Sequence, residues 1–567
     1  MNDARRPVLQ LALFALLLRL LLLFVRGDYI VFDEGYYLLL ARSLRAGHGF
    51  SLNGLPHVAL SPLQPLMVAG LSFTGIPDLW ASRLLAAVCG AGLVIPVAVL
   101  AYRWFGCRGS VLAAAVTASF PALLTYLPFF PGHGWNLYFG SEPLFLLLAT
   151  SAIALAARAF DTGKLRLWFV AGALADLSYC TRLEGIVLSV ALGLTIVAAF
   201  LVMKRPGLGR AILSYSSSAV LTIPYLLYLH GALGKWAVSG RVQAAASAAS
   251  TEAIAAPPTA PAGAPAAGGS DAVNNFVWGG DVESLWRTLY ALDASGTQMS
   301  SQYWGIPARP VEAPRAPIVA DSTVPRSPVP PSRTLLRALL VVLPFWIIPF
   351  ALFGIRQGRP RAEMAVWLMP AIVTGLLPAI LAYAEPRALL MLVPATCILT
   401  GGAMAGVAEA IESRTTSAWP RRLTTAAFLC LLLWPTARDL ARSWHQETPL
   451  QRVATARRVL GEYLGRHVAA GERIVAWHPA SAIWARREWR VLPYEPMERI
   501  VRYAQAQGAG TVVFSRFDPS PLRQPPRAFT VMLLDASSAA AGTNLHLEQV
   551  DATPLFFVGR LTPAPTQ

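Results

Sequence analysis

One feature constrains this chain before any other. Long apolar runs, each about the length of a membrane span, alternate with short turns that carry Arg and Lys. A helix needs about 20 apolar residues to cross a hydrocarbon core roughly 30 Å thick. By that rule helices are predicted near 8–26, 79–102, 110–127, 142–158, 166–182, 185–203, 211–230, 335–355, 363–383, 388–407 and 423–440, about eleven spans. The composition agrees, since 55% of the 567 residues are hydrophobic and 14% charged, where soluble chains carry roughly 25% charged residues. The expected fold class is therefore an α-helical polytopic membrane protein.

The formal net charge of +16 does not point to nucleic acid. The basic residues fall between apolar runs rather than along one soluble face, so no nucleic-acid partner is expected. Cys89, Cys107, Cys180, Cys397 and Cys430 lie in or beside apolar segments with no CxxC or Cys/His ligand spacing. They read as inert thiols rather than as a zinc site or a disulfide framework. The first apolar run lacks a small-residue cleavage site and is followed at once by Arg26, Asp28 and Asp33, so it reads as a retained first helix.

Charge orients the spans. Arg5/Arg6, Arg103/Arg108, Arg158/Lys164/Arg166, Lys204/Arg205/Arg210, Arg356/Arg359/Arg361 and Arg414/Arg421/Arg422 all fall on one side, and the loop around 128–139 has no Lys or Arg. The positive-inside rule makes the basic side cytoplasmic. The stretch 58–76 is nearly long enough to span, but Pro62 and Pro65 interrupt it, and counting it as a span would break the charge pattern. It is expected to be a short juxtamembrane or re-entrant helix.

Four regions follow. Residues 1–230 form an N-terminal transmembrane module that includes a first outer loop at 27–78. Residues 231–333 form an extracytoplasmic loop containing an Ala/Pro-rich linker at 244–270, expected to be disordered. Residues 334–440 are the C-terminal transmembrane helices. Residues 441–567 are expected to be a small extracytoplasmic α/β domain, with helices near 449–469 and 495–507 and strands at RIVAW (473–477) and TVVFS (511–515).

The residues able to carry chemistry cluster at the outer ends of these helices. Asp33 and Glu34 open the first outer loop, where they either start a helix or supply a base and a second acceptor. Glu142 sits in Gly140-Ser141-Glu142-Pro143, which also reads as an N-cap with a first-turn proline. Arg182 and Glu184 share the turn TRLEG, and at i, i+2 a mutual ion pair is less expected than partners elsewhere. Glu385 and Arg387 lie in EPRALL, where the guanidinium either snorkels to headgroups or holds a phosphate. Asp176 lies inside a span and reads as a hydrogen-bonded neutral acid or as a functional one. His48, His57 and His133 have no metal-ligand spacing and read as loop histidines.

Taken in order, Asp33-Glu34 with a following Tyr, Pro62-x-x-Pro65, Ser141-Glu142, Thr181-Arg182-x-Glu184-Gly185 and Glu385-Pro386-Arg387 with Pro394 resemble the GT-C glycosyltransferases. In particular they resemble the group containing protein O-mannosyltransferases and lipid A aminoarabinose transferases. The resemblance runs from about residue 8 to 407, and the tail resembles the small extracytoplasmic domain of bacterial members. TRLEG departs from the common TRPEG, and EPRALL lacks the aromatic that often follows the Arg.

The resemblance implies a multi-pass protein of the inner (plasma) membrane that moves a hexosyl or pentosyl unit from a polyprenyl-phosphate donor at the outer face. The acceptor would be an envelope glycan, a lipid or a protein. It implies Asp33 as catalytic base, Glu142 at the second acidic position, and Glu34, Arg182, Glu184, Glu385 and Arg387 as substrate or phosphate ligands; a divalent cation is the one cofactor it leaves open. Two rivals stand beside it: a polytopic lipid or glycan transporter or flippase, and a non-catalytic envelope-assembly protein on the same scaffold.

Overall fold

The computed structural model describes residues 2–26, 33–120, 140–240, 347–358, 360–381, 388–414, 449–493, 497–515, 545–549 and 556–561, with scattered positions between them. It forms two compact units. The first comprises Met1–Gly27, Ser61–Tyr225 and Val329–Thr448; the second comprises Asp28–Leu60, Leu226–Pro328 and Pro449–Gln567.

The first unit is helical: α1 (Asn2–Arg26), then α3 (Leu63–Ser72), α4 (Asp78–Gly92), α5 (Val94–Ser119), α6 (Glu142–Thr162), α7 (Leu165–Tyr179), α8 (Glu184–Val202), α9 (Leu208–Ser216), α11 (Ile347–Gln357), α12 (Arg361–Leu381) and α13 (Leu392–Arg414). Here α2 (Glu34–Arg45) and α10 (Ile223–Leu233) are kept for the helices that lie wholly or partly in the second unit. Seven stretches among the described residues are long and apolar enough to cross a membrane.

One of the seven, Asp78–Ser119, is 42 residues long and is two spans rather than one. Gly106 breaks α5 with φ 66° and ψ −163°, a conformation that is essentially glycine's alone. Ser110 Oγ then donates to the Ala98 carbonyl at 2.9 Å. In an unbroken helix those residues would stand about 18 Å apart. The chain therefore doubles back at Gly106, as the expected spans 79–102 and 110–127 require.

The helices pack through small residues and turn large ones outward. Ala149, Ala152, Ala156, Ala159, Ala171 and Ala175 are buried in the core, and a Cβ on Gly401 of α13 would run into the backbone of Ala113 on α5. On α1, by contrast, Leu9, Leu13, Leu17 and Leu21 are all exposed at a four-residue spacing, while Val8 and Ala15 pack with Ala91, Val94, Ala98, Ala114 and Ala118. A lipid solvent favours that inversion, because leucine gains nothing by leaving lipid and close helix contact needs small side chains.

Ion pairs join the loops at one end of the unit. Arg103 pairs with Asp161 and Glu363, Arg108 pairs with Glu412 at 2.7 Å, and Arg205 donates to the Phe160 carbonyl at 3.0 Å. The sequence places its basic clusters at this same end. The 10-residue α3 is about 15 Å long, half of a bilayer core. Its prolines do not break it internally, since Pro62 is its N-cap and Pro65 sits in its first turn, where no amide donor is needed. The expected spans at 335–355 and 423–440 fall largely outside the described residues beyond α11, as does the linker at 244–270.

The second unit is built on a five-stranded sheet of order β4-β3-β5-β7-β6. Its strands are β3 (Arg473–Ala476), β4 (Glu488–Val491), β5 (Ala509–Ser515), β6 (Leu545–Gln549) and β7 (Phe556–Leu561). Strand β3 pairs parallel with β4 and β5, whereas β7 runs antiparallel to both β5 and β6. The helices α14 (Pro449–His467), α15 (Ala480–Ala485) and α16 (Met497–Ala506) complete it.

Its core joins Leu460, Leu464, Ile474, Val475, Ile500, Val512, Phe514 and Val558 to Tyr37, Leu40, Phe50 and Leu52 from the first loop. The loop thus supplies part of the core of the C-terminal fold. A short antiparallel hairpin, β1 (Ser51–Leu52) with β2 (Leu55–Pro56), follows α2. Tyr228 of α10 ties it down, within hydrogen-bond reach of the Phe50 carbonyl at 2.6 Å and the His57 carbonyl at 3.0 Å.

Candidate active site

In the first unit the site begins at the turn between α7 and α8. The end of α7 tightens as the amides of Thr181 and Arg182 both donate to the Ser178 carbonyl, at 3.1 and 2.9 Å. Gly185 lets α8 start at once, because a Cβ there would clash with the Tyr179 backbone. The glycine of TRLEG is a steric requirement of this turn. The N-terminus of α3 docks on the same turn, with the Leu63 amide donating to the Cys180 carbonyl at 2.8 Å.

Arg182 then clamps two carboxylates. Its Nη1 donates to Glu142 Oε1 at 2.7 Å and to Ser141 Oγ at 3.2 Å, and its Nη2 donates to Glu184 Oε1 at 2.8 Å. The side chains of Arg182, Glu142 and Glu184 are 14%, 6% and 20% exposed. The mutual pair of Arg182 with Glu184, the less expected arrangement at i, i+2, does form. The reason is the turn: Glu184 opens α8 while Arg182 still lies outside it, so helical i, i+2 geometry does not apply.

Ser141 occupies the N-cap of α6 with Pro143 in the first turn, as its sequence suggests. Its hydroxyl makes no capping hydrogen bond and accepts from Arg182 instead. Among the described residues the cluster holds two carboxylates on one guanidinium. Such a cluster suits sugar hydroxyls or a cation, and a phosphate would have to compete for Arg182 with both acids.

In the second unit, Asp33 is the N-cap of α2 and Glu34 its first residue; Asp33 makes no side-chain capping hydrogen bond, and Glu34 is buried. The pair does mark a helix start, yet the Asp33 carboxylate is not spent on capping it. Glu385 and Arg387 lie outside the described residues, as does His133. His57 is not a solvated loop side chain: it is buried, and its Nε2 accepts from the Leu60 amide at 3.1 Å. Among the described residues no group of three or more His, Cys, Asp or Glu side chains gathers as a metal site.

Sequence reasoning missed several buried polar groups. Arg19 and Arg83 are at most 1% exposed inside apolar helices. Arg19 donates to the Ala15 carbonyl at 3.0 Å, and its Nε would lie 2.7 Å from a Cβ on Gly90, so the glycine makes room for it. The guanidinium of Arg83 lies 5.8 Å from the Trp80 ring centre. Gln64 of α3 is buried, with neither polar atom of its amide hydrogen-bonded among the described residues. The signal was present as single charged letters inside LLLRLLLL and ASRLLAAV, since an intramembrane charge is a functional candidate by default.

The chain has the fold of the GT-C membrane glycosyltransferases. Among solved structures it is similar to ArnT from Cupriavidus metallidurans bound to undecaprenyl phosphate, at TM-score 0.54 and 15% identity, covering 99% of each chain. It is also similar to the Archaeoglobus fulgidus oligosaccharyltransferase in the apo form, at TM-score 0.53 and 12% identity, over 90% of this chain and 69% of that one. No family model matches the sequence. No curated protein matches it by sequence either.

Proposed function

We propose that this protein is a membrane glycosyltransferase that moves a sugar from a polyprenyl-phosphate donor to a glycan, lipid or protein acceptor on the extracytoplasmic face. The observation that carries the reading is the buried Glu142–Arg182–Glu184 cluster at a helix end, on a fold shared with a protein solved with undecaprenyl phosphate. In this reading residues 1–230 are the catalytic transmembrane module of an inner-membrane protein, and residues 334–440 are its C-terminal transmembrane helices. Residues 231–333 and 441–567 are extracytoplasmic.

The chemistry asks little of the donor side. A phosphate ester leaves without a general acid, so the protein needs one base on the acceptor and positive charge near the departing phosphate. Asp33 takes the acceptor proton as the acceptor oxygen bonds to the anomeric carbon. The bond from that carbon to the phosphate oxygen breaks, and polyprenyl phosphate leaves with the electron pair. Arg387 supplies the positive charge for the phosphate, and Glu385 is a further substrate ligand. Glu34, Glu142 and Glu184 accept hydrogen bonds from sugar hydroxyls, with Arg182 holding the last two in place.

The test is turnover by purified protein in detergent, following release of polyprenyl phosphate from a set of polyprenyl-phosphate sugars. General-base catalysis contributes about 10²–10⁴-fold, so Asp33→Asn should lose that much while still binding donor. Undiminished turnover in Asp33→Asn would remove Asp33 from the mechanism. Reporter fusions after Thr448 test the proposed face, and cytoplasmic reporter activity there would overturn it.

A further inference from the structure

The second unit places a histidine of its C-terminal fold against the Asp33-Glu34 motif. His478 follows β3 and precedes α15, and it is buried. A Cβ built on Gly35 would lie 3.4 Å from His478 Cε1, 2.7 Å from Pro479 Cγ and 3.5 Å from Ile30 Cγ2. In a helix the Cα–Cβ bond tilts toward the N-terminus. The imidazole therefore lies toward the N-terminal end of α2, the end that Asp33 caps.

Neighbouring rings hold this arrangement. Tyr36 meets His478 edge-on at 6.1 Å between ring centres and Trp489 at 5.6 Å, and its hydroxyl lies 3.4 Å from the Trp477 carbonyl. The Trp489 indole in turn donates to the Ala476 carbonyl at 2.8 Å. Every partner here flanks His478 in sequence or lies on β4.

The ring is also fixed in its tautomer. The Ala480 amide donates to His478 Nδ1 at 3.1 Å, which requires a lone pair there, so the neutral imidazole carries its proton on Nε2. A ring anchored through one nitrogen presents the other as an oriented donor, as second-layer histidines commonly do.

We propose that His478 is a positioning residue for the Asp33 carboxylate, so that the C-terminal fold is part of the catalytic apparatus. This rests on the glycosyltransferase reading given above. Through its Nε2–H the ring fixes where the Asp33 carboxylate points, and Gly35 is the contact that lets it come close enough.

Two isosteric substitutions separate positioning from mere folding. An Asn at 478 can keep the bond to the Ala480 amide through its short carbonyl but has nothing at the Nε2 position. A Gln places its amide N–H near Nε2. Positioning predicts that His478→Gln keeps most of kcat, whereas His478→Asn and His478→Ala lose about tenfold or more, all with the donor KM within about twofold of wild type. If the histidine only braces the loop, His478→Asn will equal or exceed His478→Gln.

Gly35→Ala is the second arm. Alanine in a helix is ordinarily harmless or helpful. Here it must push Pro479, and His478 with it, so kcat should fall even when it is measured well below the variant's own unfolding midpoint. Wild-type kcat in Gly35→Ala and in all three His478 variants would overturn the proposal, even with Asp33→Asn inactive. Equal turnover in wild type and Asp33→Asn would instead defeat the reading on which the proposal stands.

Discussion

Arg182 Nη1 donates to Glu142 Oε1 at 2.7 Å, joining residues 40 positions apart in sequence across the start of α6 and the turn before α8. With Glu184 on its other nitrogen, Arg182 holds two acids in a mostly buried place, where like charges would otherwise repel. Removing one partner of a buried ion pair costs about 3–5 kcal/mol, because the survivors stay buried and uncompensated. Arg182→Met should therefore lower thermal stability in detergent well beyond an ordinary surface change. Adding Glu142→Gln and Glu184→Gln should restore much of the loss, since neutral amides need no counter-charge. An Arg182→Met protein as stable as wild type would mean that the cluster contributes nothing to the fold.

Gly106 sets the helical hairpin in α5. Its φ of 66° with ψ of −163° lies where a side chain is strained by about 1–3 kcal/mol. Gly106→Ala should reduce the unfolding free energy by that much, and Ser110→Ala, which removes the hydroxyl donated to Ala98, by about 1 kcal/mol, each seen as a lower unfolding midpoint. Thermal shift on the purified protein measures both. An unchanged midpoint in Gly106→Ala would mean that the chain does not turn there.

These elements show how far the sequence could be read. The spans that fall on described residues were legible because lipid imposes length and polarity together, and the tail was legible because RIVA and TVVFS alternate with amphipathic helices, matching β3, β5, α14 and α16. The turn at Gly106 was visible in the basic pair Arg103/Arg108. What could not be read is who meets whom. Arg182 clamps Glu142 from 40 positions away, and nothing local in the sequence says so. Tyr37 and Leu40 join the core that surrounds β3, a pairing across more than four hundred residues that periodicity cannot reveal. Arg19 and Arg83 were passed over because each interrupts an apolar run by one letter without spoiling its length.

The end of the sheet gives a pH prediction. Partial burial would raise the Glu488 carboxyl, but hydrogen bonds and charge from Arg473 and Arg490 outweigh it and hold the group below the ordinary carboxylate value. A carboxyl depressed in the folded state contributes stability that is present above its unfolded value, about 4.3, and lost as pH falls through the folded value. Wild type minus Glu488→Gln should therefore show a stability difference at neutral pH that shrinks in acid. The difference should be small, because Glu488 is 51% exposed and solvent screens it. A difference that grew as pH fell would reverse the assignment.

Asp176 offers the sharpest separation between a structural and a transport role. Its Oδ2 accepts from Ser218 Oγ at 2.6 Å, and Ser218 sits in the 3-10 segment Ser217–Thr222 that interrupts the span of α9 and α10. Ser218 Oγ also lies 2.8 Å from the Tyr215 carbonyl, so its single proton is shared between the two acceptors. Gly172, four residues before Asp176, lets α7 approach this break, since a Cβ there would strike the Tyr215 carbonyl and the Ser218 hydroxyl. The acid thus accepts a hydrogen bond where two helices meet closely at an irregular turn, a task that needs an oxygen and not a charge. Asp176→Asn keeps the acceptor and should leave folding, and any glycosyl transfer, within about twofold of wild type. Asp176→Leu removes the acceptor for a buried hydroxyl and should cost about 1–3 kcal/mol. A carrier that moved an ion or a proton through Asp176 would fail in the Asn variant as completely as in the Leu variant, with no loss of stability in the former. Equal loss of function in two such differently stable proteins would establish Asp176 as a charged site, and the transport reading would then displace the structural one.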